Sequence, residues 1–198
     1  MKKKLLILFV CTAFLRLNAE ESNEKTAHWL EEYLVSIPDF PKQGIIFQWC
    51  ANLLQNPEAF HRAILTFADR YKESNLTAIA ALDARGFIFG TALAYEMNLP
   101  LVLIRKPGRL PRQVERVDYA LEYGTNSFEI EIDSLKSGDS VLIVDDVMAT
   151  GGTAQAAVEL VKRLGADPIE VACLIEISPL QGRNNVSVPV YSIFATGD

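Results

Sequence analysis

The apolar positions of this chain change period several times, and each change predicts an element. Leu30, Tyr33, Leu34 and Ile37 fall at i, i+3, i+4 and i+7, with Glu31 and Glu32 facing away, which predicts an amphipathic helix from about 25 to 36. Pro38 ends it, and 37–47, with two prolines and a glycine, is expected as an ordered loop. Asn56 followed by Pro57 reads as an N-cap and first helical residue, opening a helix whose apolar face is Phe60, Ile64, Phe67, Ala68 and Tyr71. Short apolar runs at 78–82, 101–104 and 141–144 suit strands buried on both faces, and a helix to about Met97 follows the first. From Pro107 to Gly124 the pattern is irregular and predicts a long mobile loop. Phe128, Ile130 and Ile132 alternate with Glu129 and Glu131, the mark of a half-exposed edge strand. Ala157, Leu160, Val161 and Leu164 recur at helical spacing before Gly165, a natural stop. Strands are expected at 169–175 and at 188–193, the last at an edge because of Pro189.

Strands alternating with helices predict an α/β fold with a doubly wound, mostly parallel sheet. At 198 residues, 49% of them apolar, one domain over 20–198 has enough material for a sizeable core. Three strand ends then carry polar groups: Asp83 to Arg85, Arg105 with Lys106, and Asp145 to Thr153. Ligands of open parallel sheets bind at those carboxyl ends. The net charge of −6 argues against a nucleic-acid partner held through phosphate contacts. Cys11, Cys50 and Cys173 have neither metal-ligand nor disulfide spacing and read as buried thiols. Residues 1–19, three lysines followed by an apolar run, are laid out like a signal peptide and are too short to span a bilayer. The other reading is an N-terminal extension.

The third strand end has the most chemistry. Ala149, Thr150, Gly151, Gly152 and Thr153 would offer backbone amides, two hydroxyls and a helix N-terminus to an anion. A helix terminus alone is worth roughly 0.3–1 kcal/mol, so several donors must act together. The turn has neither the lysine of a Walker loop nor the spacing of a dinucleotide fingerprint. Asp145 and Asp146 would repel a bare phosphate but suit the hydroxyls of a sugar phosphate. The alternatives are a structural glycine turn and acids that cap or brace a loop.

Residues 141–153 resemble the phosphoribosyl-pyrophosphate motif of the type I phosphoribosyltransferases. IPDFPKQGIIF at 37–47, ALDARGFIFG at 81–90, LIRKPGRLP at 103–111 and DYALEYG at 118–124 narrow the resemblance to the adenine-specific family. That family implies a small hood, a mobile loop and Mg²⁺-dependent transfer of a phosphoribosyl group from phosphoribosyl pyrophosphate to adenine, giving AMP and pyrophosphate. The resemblance assigns Ala149, Thr150, Gly151, Gly152 and Thr153 to the 5′-phosphate and Asp145 and Asp146 to the ribose hydroxyls. It assigns Ala84, Arg85, Arg105, Lys106 and Arg109 to the pyrophosphate, and implies a cis Asp83–Ala84 peptide. Phe47 would stack on adenine with Val147 on the other face, and the Ile46 backbone would read the base edge. Glu122 would be the acid or base near the adenine N7, with Arg85 the other catalytic group, and Tyr123 would help close the site. Magnesium would be held mainly through the substrate, with no direct protein ligand.

The match is weakest after Phe47, where Gln48-Trp49-Cys50-Ala51 replaces the usual basic residue and Asp-Ile/Val-Ser/Thr. A transferase for another purine, or a non-catalytic regulator sensing phosphoribosyl pyrophosphate, is the alternative. The resemblance also implies a homodimer without nucleic-acid or stable membrane partners. Its cytosolic substrate places it in the cytoplasm, whereas residues 1–19 would allow export.

Overall fold

A computed structural model describes residues 29–121 and 124–197. They fall into two compact units, one within 1–55 and the other 56–198. In the first, residues 29–31 are helical, and the amides of Tyr33 and Leu34 then bond to the carbonyls of Leu30 and Glu31 at 2.9 and 3.1 Å. The chain turns out of the helix there. Strand β1 (Val35–Pro38) pairs antiparallel with β2 (Ile46–Trp49), Ser36 opposite Gln48 and Ile37 opposite Phe47. The helix expected up to 36 and the loop expected from 37 to 47 are both corrected. Cross-strand pairing overrides a local helical period, and only 39–45 remains a connection. Helix α1 (Ala51–Gln55) follows.

The larger unit holds a five-stranded parallel sheet in the order β4-β3-β7-β8-β9. Its strands are β3 (Ala78–Leu82), β4 (Leu101–Ile104), β7 (Ser140–Met148), β8 (Asp167–Ile177) and β9 (Val190–Thr196). As the pattern predicts, β9 lies at an edge. So does β4, whose Leu103 is exposed, and it is therefore not the fully buried strand expected. Helix α2 (Pro57–Tyr71) starts where Asn56 Oδ1 accepts the Ala59 amide at 3.0 Å. Its buried stripe is Ala59, Ala63, Ile64, Phe67 and Tyr71, so the expected face is right in direction, with Phe60 and Ala68 at its margin.

Pleat alternation splits the sheet's side chains between two layers. Ala80, Ile143 and Cys173 join a core with Ala157 and Val161 of helix α4 (Gly152–Arg163). On the other face Ala81 meets Gly90 of helix α3 (Gly86–Glu96), where an added Cβ would come within 2.5 Å of the alanine's own. Helix α4 ends as expected at Gly165, whose amide reaches the Lys162 carbonyl at 2.9 Å while that of Ala166 reaches Val161 at 3.3 Å. Cys50 and Cys173 are buried, as expected, and Cys11 lies outside the described residues, as does the signal-like stretch 1–19.

The long loop expected from 107 to 124 is a second correction. Residues from Val114 form strand β5 (Val114–Leu121), antiparallel to β6 (Gly124–Glu131). Charges at Glu115, Arg116 and Asp118 hide its period in the sequence. Glu115 Oε1 accepts from Arg163 Nη1 of α4 at 2.8 Å, and Asp118 Oδ1 accepts from Arg116 Nε on its own strand at 3.0 Å and from Ser127 Oγ across the hairpin at 2.6 Å, where Arg116 Nη2 also reaches Ser127 Oγ at 2.7 Å. The inward face carries Val117 and Tyr119, the latter stacked on Phe128 at 5.4 Å.

Candidate active site

The centre of the site is the carboxyl end of β7. The expected strand stops at the acids, but the ladder with β8 continues through Asp145 opposite Cys173 to Met148 opposite Glu176. Asp145 and Asp146 are thus held by the sheet. Asp146 is 4% exposed, accepts Nε–H of Arg85, and donates its own amide to Asp145 Oδ1 at 2.8 Å. Desolvation, then the charge of Asp146, pushes the Asp145 carboxyl well above the ordinary range.

Arg85 reaches Asp146 because α3 starts hard against β7. A Cβ at Gly86 would lie 2.8 Å from the Val144 carbonyl oxygen and 3.0 Å from Asp145 Oδ1, so only glycine fits without a shift. The preceding Asp83–Ala84 peptide is cis, as the resemblance implies. A second acid–base pair stands beside it: Arg105 Nε donates to Asp83 Oδ2 at 3.3 Å, with the guanidinium 5.7 Å from the Phe87 ring. Arg105 Nη1 also reaches the Arg109 carbonyl at 3.1 Å. The loop bearing Lys106 and Arg109 is anchored by Glu129, whose backbone exchanges two ladder bonds with Arg105 and whose Oε2 accepts the Gly108 amide at 2.8 Å. Glu129 is buried, not on the exposed face its alternation predicts.

After β7 the chain turns at Ala149-Thr150-Gly151, and α4 starts. Gly151 caps the helix at φ +84°, a left-handed conformation suited to glycine, and its carbonyl accepts the Gln155 amide at 2.9 Å. Thr150 is exposed. Under this turn lies a segment that sequence reading does not single out, Gly182–Asn185, a 3₁₀ turn after β8. A Cβ on Gly151 would come 2.2 Å from the Gly182 carbonyl oxygen, and one on Gly182 would come 2.0 Å from the Ala149 carbonyl oxygen. Asn185 Nδ2 donates to the Thr150 carbonyl at 2.9 Å. A lone glycine before an arginine is too weak a sequence signal for such a contact.

The structure thus brings Asp83–Arg85, Arg105, Lys106, Arg109 and Asp145–Thr153 to strand ends of one unit. Val147 also belongs to β7 there. Ile46 and Phe47 belong to β2 of the other unit, where Ile46 is 61% exposed. Phe47 packs edge-on to Phe40 at 5.2 Å and lies tilted 5.8 Å from Trp49. Gln48, where the sequence departs from the family pattern, exchanges hydrogen bonds of 3.0 and 3.2 Å with Ser36 across the hairpin. Glu122 and Tyr123 lie outside the described residues.

The phosphoribosyl transferase domain model matches residues 50–196. The adenine phosphoribosyltransferase of Carboxydothermus hydrogenoformans is 48% identical over 158 residues, covering 80% of this chain and 93% of the relative. The chain belongs to the adenine phosphoribosyltransferase family. Among solved structures, the adenine phosphoribosyltransferase of Rhodothermus marinus superposes with TM-score 0.83 at 39% identity, over 87% of this chain and 99% of that one. The Saccharomyces cerevisiae adenine phosphoribosyltransferase, solved with an imino-altritol bisphosphate and adenine, gives 0.81 at 36% identity over 86% and 99%. For an adenine phosphoribosyltransferase the parallel sheet with flanking helices is the expected type I fold.

Proposed function

We propose that this chain transfers the 5-phosphoribosyl group from phosphoribosyl pyrophosphate to adenine, releasing AMP and pyrophosphate. The observation that carries the proposal is the convergence of a glycine turn, an acid pair and arginines on adjacent strand ends. Amides from Ala149 to Thr153 take the 5′-phosphate, and Asp145 with Asp146 takes the ribose hydroxyls. The sugar carbon becomes cation-like as pyrophosphate departs, so the main electrostatic task is to offset charge on the leaving group. Ala84, Arg85, Arg105, Lys106 and Arg109 face that task. Arg85 is paired with Asp146, and Arg105 with Asp83. Binding exchanges partners: sugar hydroxyls replace Arg85 on Asp146, and Arg85 turns to the pyrophosphate. Phe47 stacks on the base, Val147 covers its other face, the Ile46 backbone reads its edge, Glu122 handles the proton at N7, and Tyr123 closes the site.

Carboxylate and phosphate oxygens are the hard donors Mg²⁺ takes. Mg²⁺ would be held mainly through substrate oxygens, near Asp145 and Asp146. When bound it supplies charge neutralisation to the pyrophosphate. The working form is a homodimer in the cytoplasm, without nucleic-acid or stable membrane partners. The exposed apolar side chains of Ile88 and Tyr95, seven residues apart on α3, support the dimer. The charge of −6 supports the absence of nucleic acid. Among the described residues no helix is long and apolar enough to cross a membrane.

The test is pyrophosphate release from phosphoribosyl pyrophosphate with adenine, hypoxanthine, guanine or orotate, in Mg²⁺ buffer. Adenine should give the highest kcat/KM. No turnover with any base by folded protein would overturn the enzyme reading, and a preference for another purine would overturn the base assignment.

A further inference from the structure

The strongest arrangement that the proposed chemistry does not use lies beneath the glycine turn. Glu176 sits at the end of β8, directly opposite Met148, the last residue of β7. It is 3% exposed yet ionisable, and three donors converge on it. Arg183 Nε reaches Oε1 at 2.7 Å, Arg183 Nη2 reaches Oε2, and Ser192 Oγ from β9 reaches Oε2 at 3.1 Å. The fork from Arg183 holds the Glu176 carboxyl below its ordinary range. The pair fixes Arg183 beside Gly182, the glycine whose backbone is in closest approach to Ala149 and Gly151. The segment is tied a second time to α4: the Ser187 amide donates to Gln155 Oε1 at 2.8 Å.

We infer that residues 182–187 form a rigid floor for the phosphate turn, and that the Glu176–Arg183 pair is the positioning element that holds this floor in place. The inference rests on reading Ala149 to Thr153 as the 5′-phosphate cradle. Amides that bind an anion must keep their directions when the ligand is absent, or binding must supply the ordering. The turn has few bonds of its own. Its shape is set from below, by a backbone contact that admits no Cβ on either side and by the Asn185 amide on the Thr150 carbonyl. Arg183 and Asn185 are positioning residues here, and neither is assigned to the reacting atoms.

The test is calorimetric binding of ribose 5-phosphate and, separately, of pyrophosphate to the full chain and its variants, with melting temperatures recorded. Gly182→Ala forces backbone apart and should weaken ribose 5-phosphate by about 10-fold or more. Asn185→Ala, at an exposed side chain, should weaken it by about 2- to 10-fold. Arg183→Met should resemble Gly182→Ala, with Arg183→Lys recovering part of the loss. Pyrophosphate affinity should stay within about 2-fold throughout, because it belongs to the Arg85 and Arg105 side. A general structural defect would weaken both ligands together. Folded Asn185→Ala and Arg183→Met that bind ribose 5-phosphate like the wild type would overturn the floor, and Asn185→Ala decides if Gly182→Ala does not fold. A wild type that binds ribose 5-phosphate through this floor yet turns over no base would leave the inference standing and sink the proposed activity. A wild type that binds neither ligand would overturn both.

Discussion

The charged strand ends proposed to hold the sugar phosphate, here the sugar-phosphate side, and the β1–β2 hairpin are built from different materials. On the sugar-phosphate side the groups are charged, set on parallel strand ends, and paired with one another: Arg85 with Asp146, Arg105 with Asp83. Their positions are fixed by sheet ladders and by backbone contacts at Gly86, Gly151 and Gly182 that leave no room for a Cβ. The hairpin has two four-residue strands and a cluster of Phe40, Phe47 and Trp49. Charge recognition depends steeply on distance and direction, so it needs a rigid scaffold. Stacking needs an aromatic face and little else, so the surrounding residues can vary. Gln48 and Trp49 illustrate that freedom, since both are absorbed by hairpin contacts with Ser36 and Phe47.

The largest effect should come from the charged side. Asp146→Asn should lower kcat/KM by about 10²-fold or more, because a preorganised contact is lost and Arg85 loses its partner; steady-state kinetics check this. Asp145→Asn should lower kcat/KM comparably while raising the melting temperature of the ligand-free protein. The raised Asp145 carboxyl makes the ionised form costly, and the amide keeps an oxygen for the Asp146 amide. A fall in both stability and activity would count against the repulsion argument. Next, Phe47→Ala should raise KM for adenine by roughly 5- to 100-fold, the worth of one stacked base, with KM for phosphoribosyl pyrophosphate changed less than about 2-fold. Equal effects on both substrates would erase the contrast between the two sides. Trp49→Ala should do the same more weakly, about 2- to 5-fold, because it acts through the Phe47 ring.

The smallest effect is a pH dependence. Glu176 has a folded value below its ordinary 4.5, so its stabilisation is complete above about that pH and is lost as pH falls through the folded value. Asp145 has the opposite sign: its folded value is raised, so stability is lost as pH climbs above its ordinary 3.8 towards the raised value. Melting curves from pH 3 to 7 should therefore show a shallower acid limb for Glu176→Gln and, for Asp145→Asn, a smaller loss of stability as pH rises above 3.8.

How far the sequence could be read follows the same division. The gathering of polar groups at three strand ends is legible because the groups are contiguous in sequence, 145–153 and 83–85. The hairpin looks like helix and loop in the sequence because Leu30, Tyr33, Leu34 and Ile37 repeat at helical spacing, while the pairing of Ser36 with Gln48 is not a local property. Strand β5 does not show in the sequence for a similar reason: its charges are met by Arg163 of α4, by the Ser127 hydroxyl across the hairpin and by each other. The Gly182 floor left almost no trace. Its partners, Ala149 and Gly151, are about thirty residues away in sequence, and the contact consists of backbone atoms that any residue possesses.

The most direct test of the account is the simultaneous measurement of AMP and pyrophosphate from phosphoribosyl pyrophosphate and adenine, using the full chain in Mg²⁺ buffer. The two products should appear in equal amounts, and neither should appear when adenine is omitted. Pyrophosphate released without AMP, or no product at all from folded protein, would contradict it.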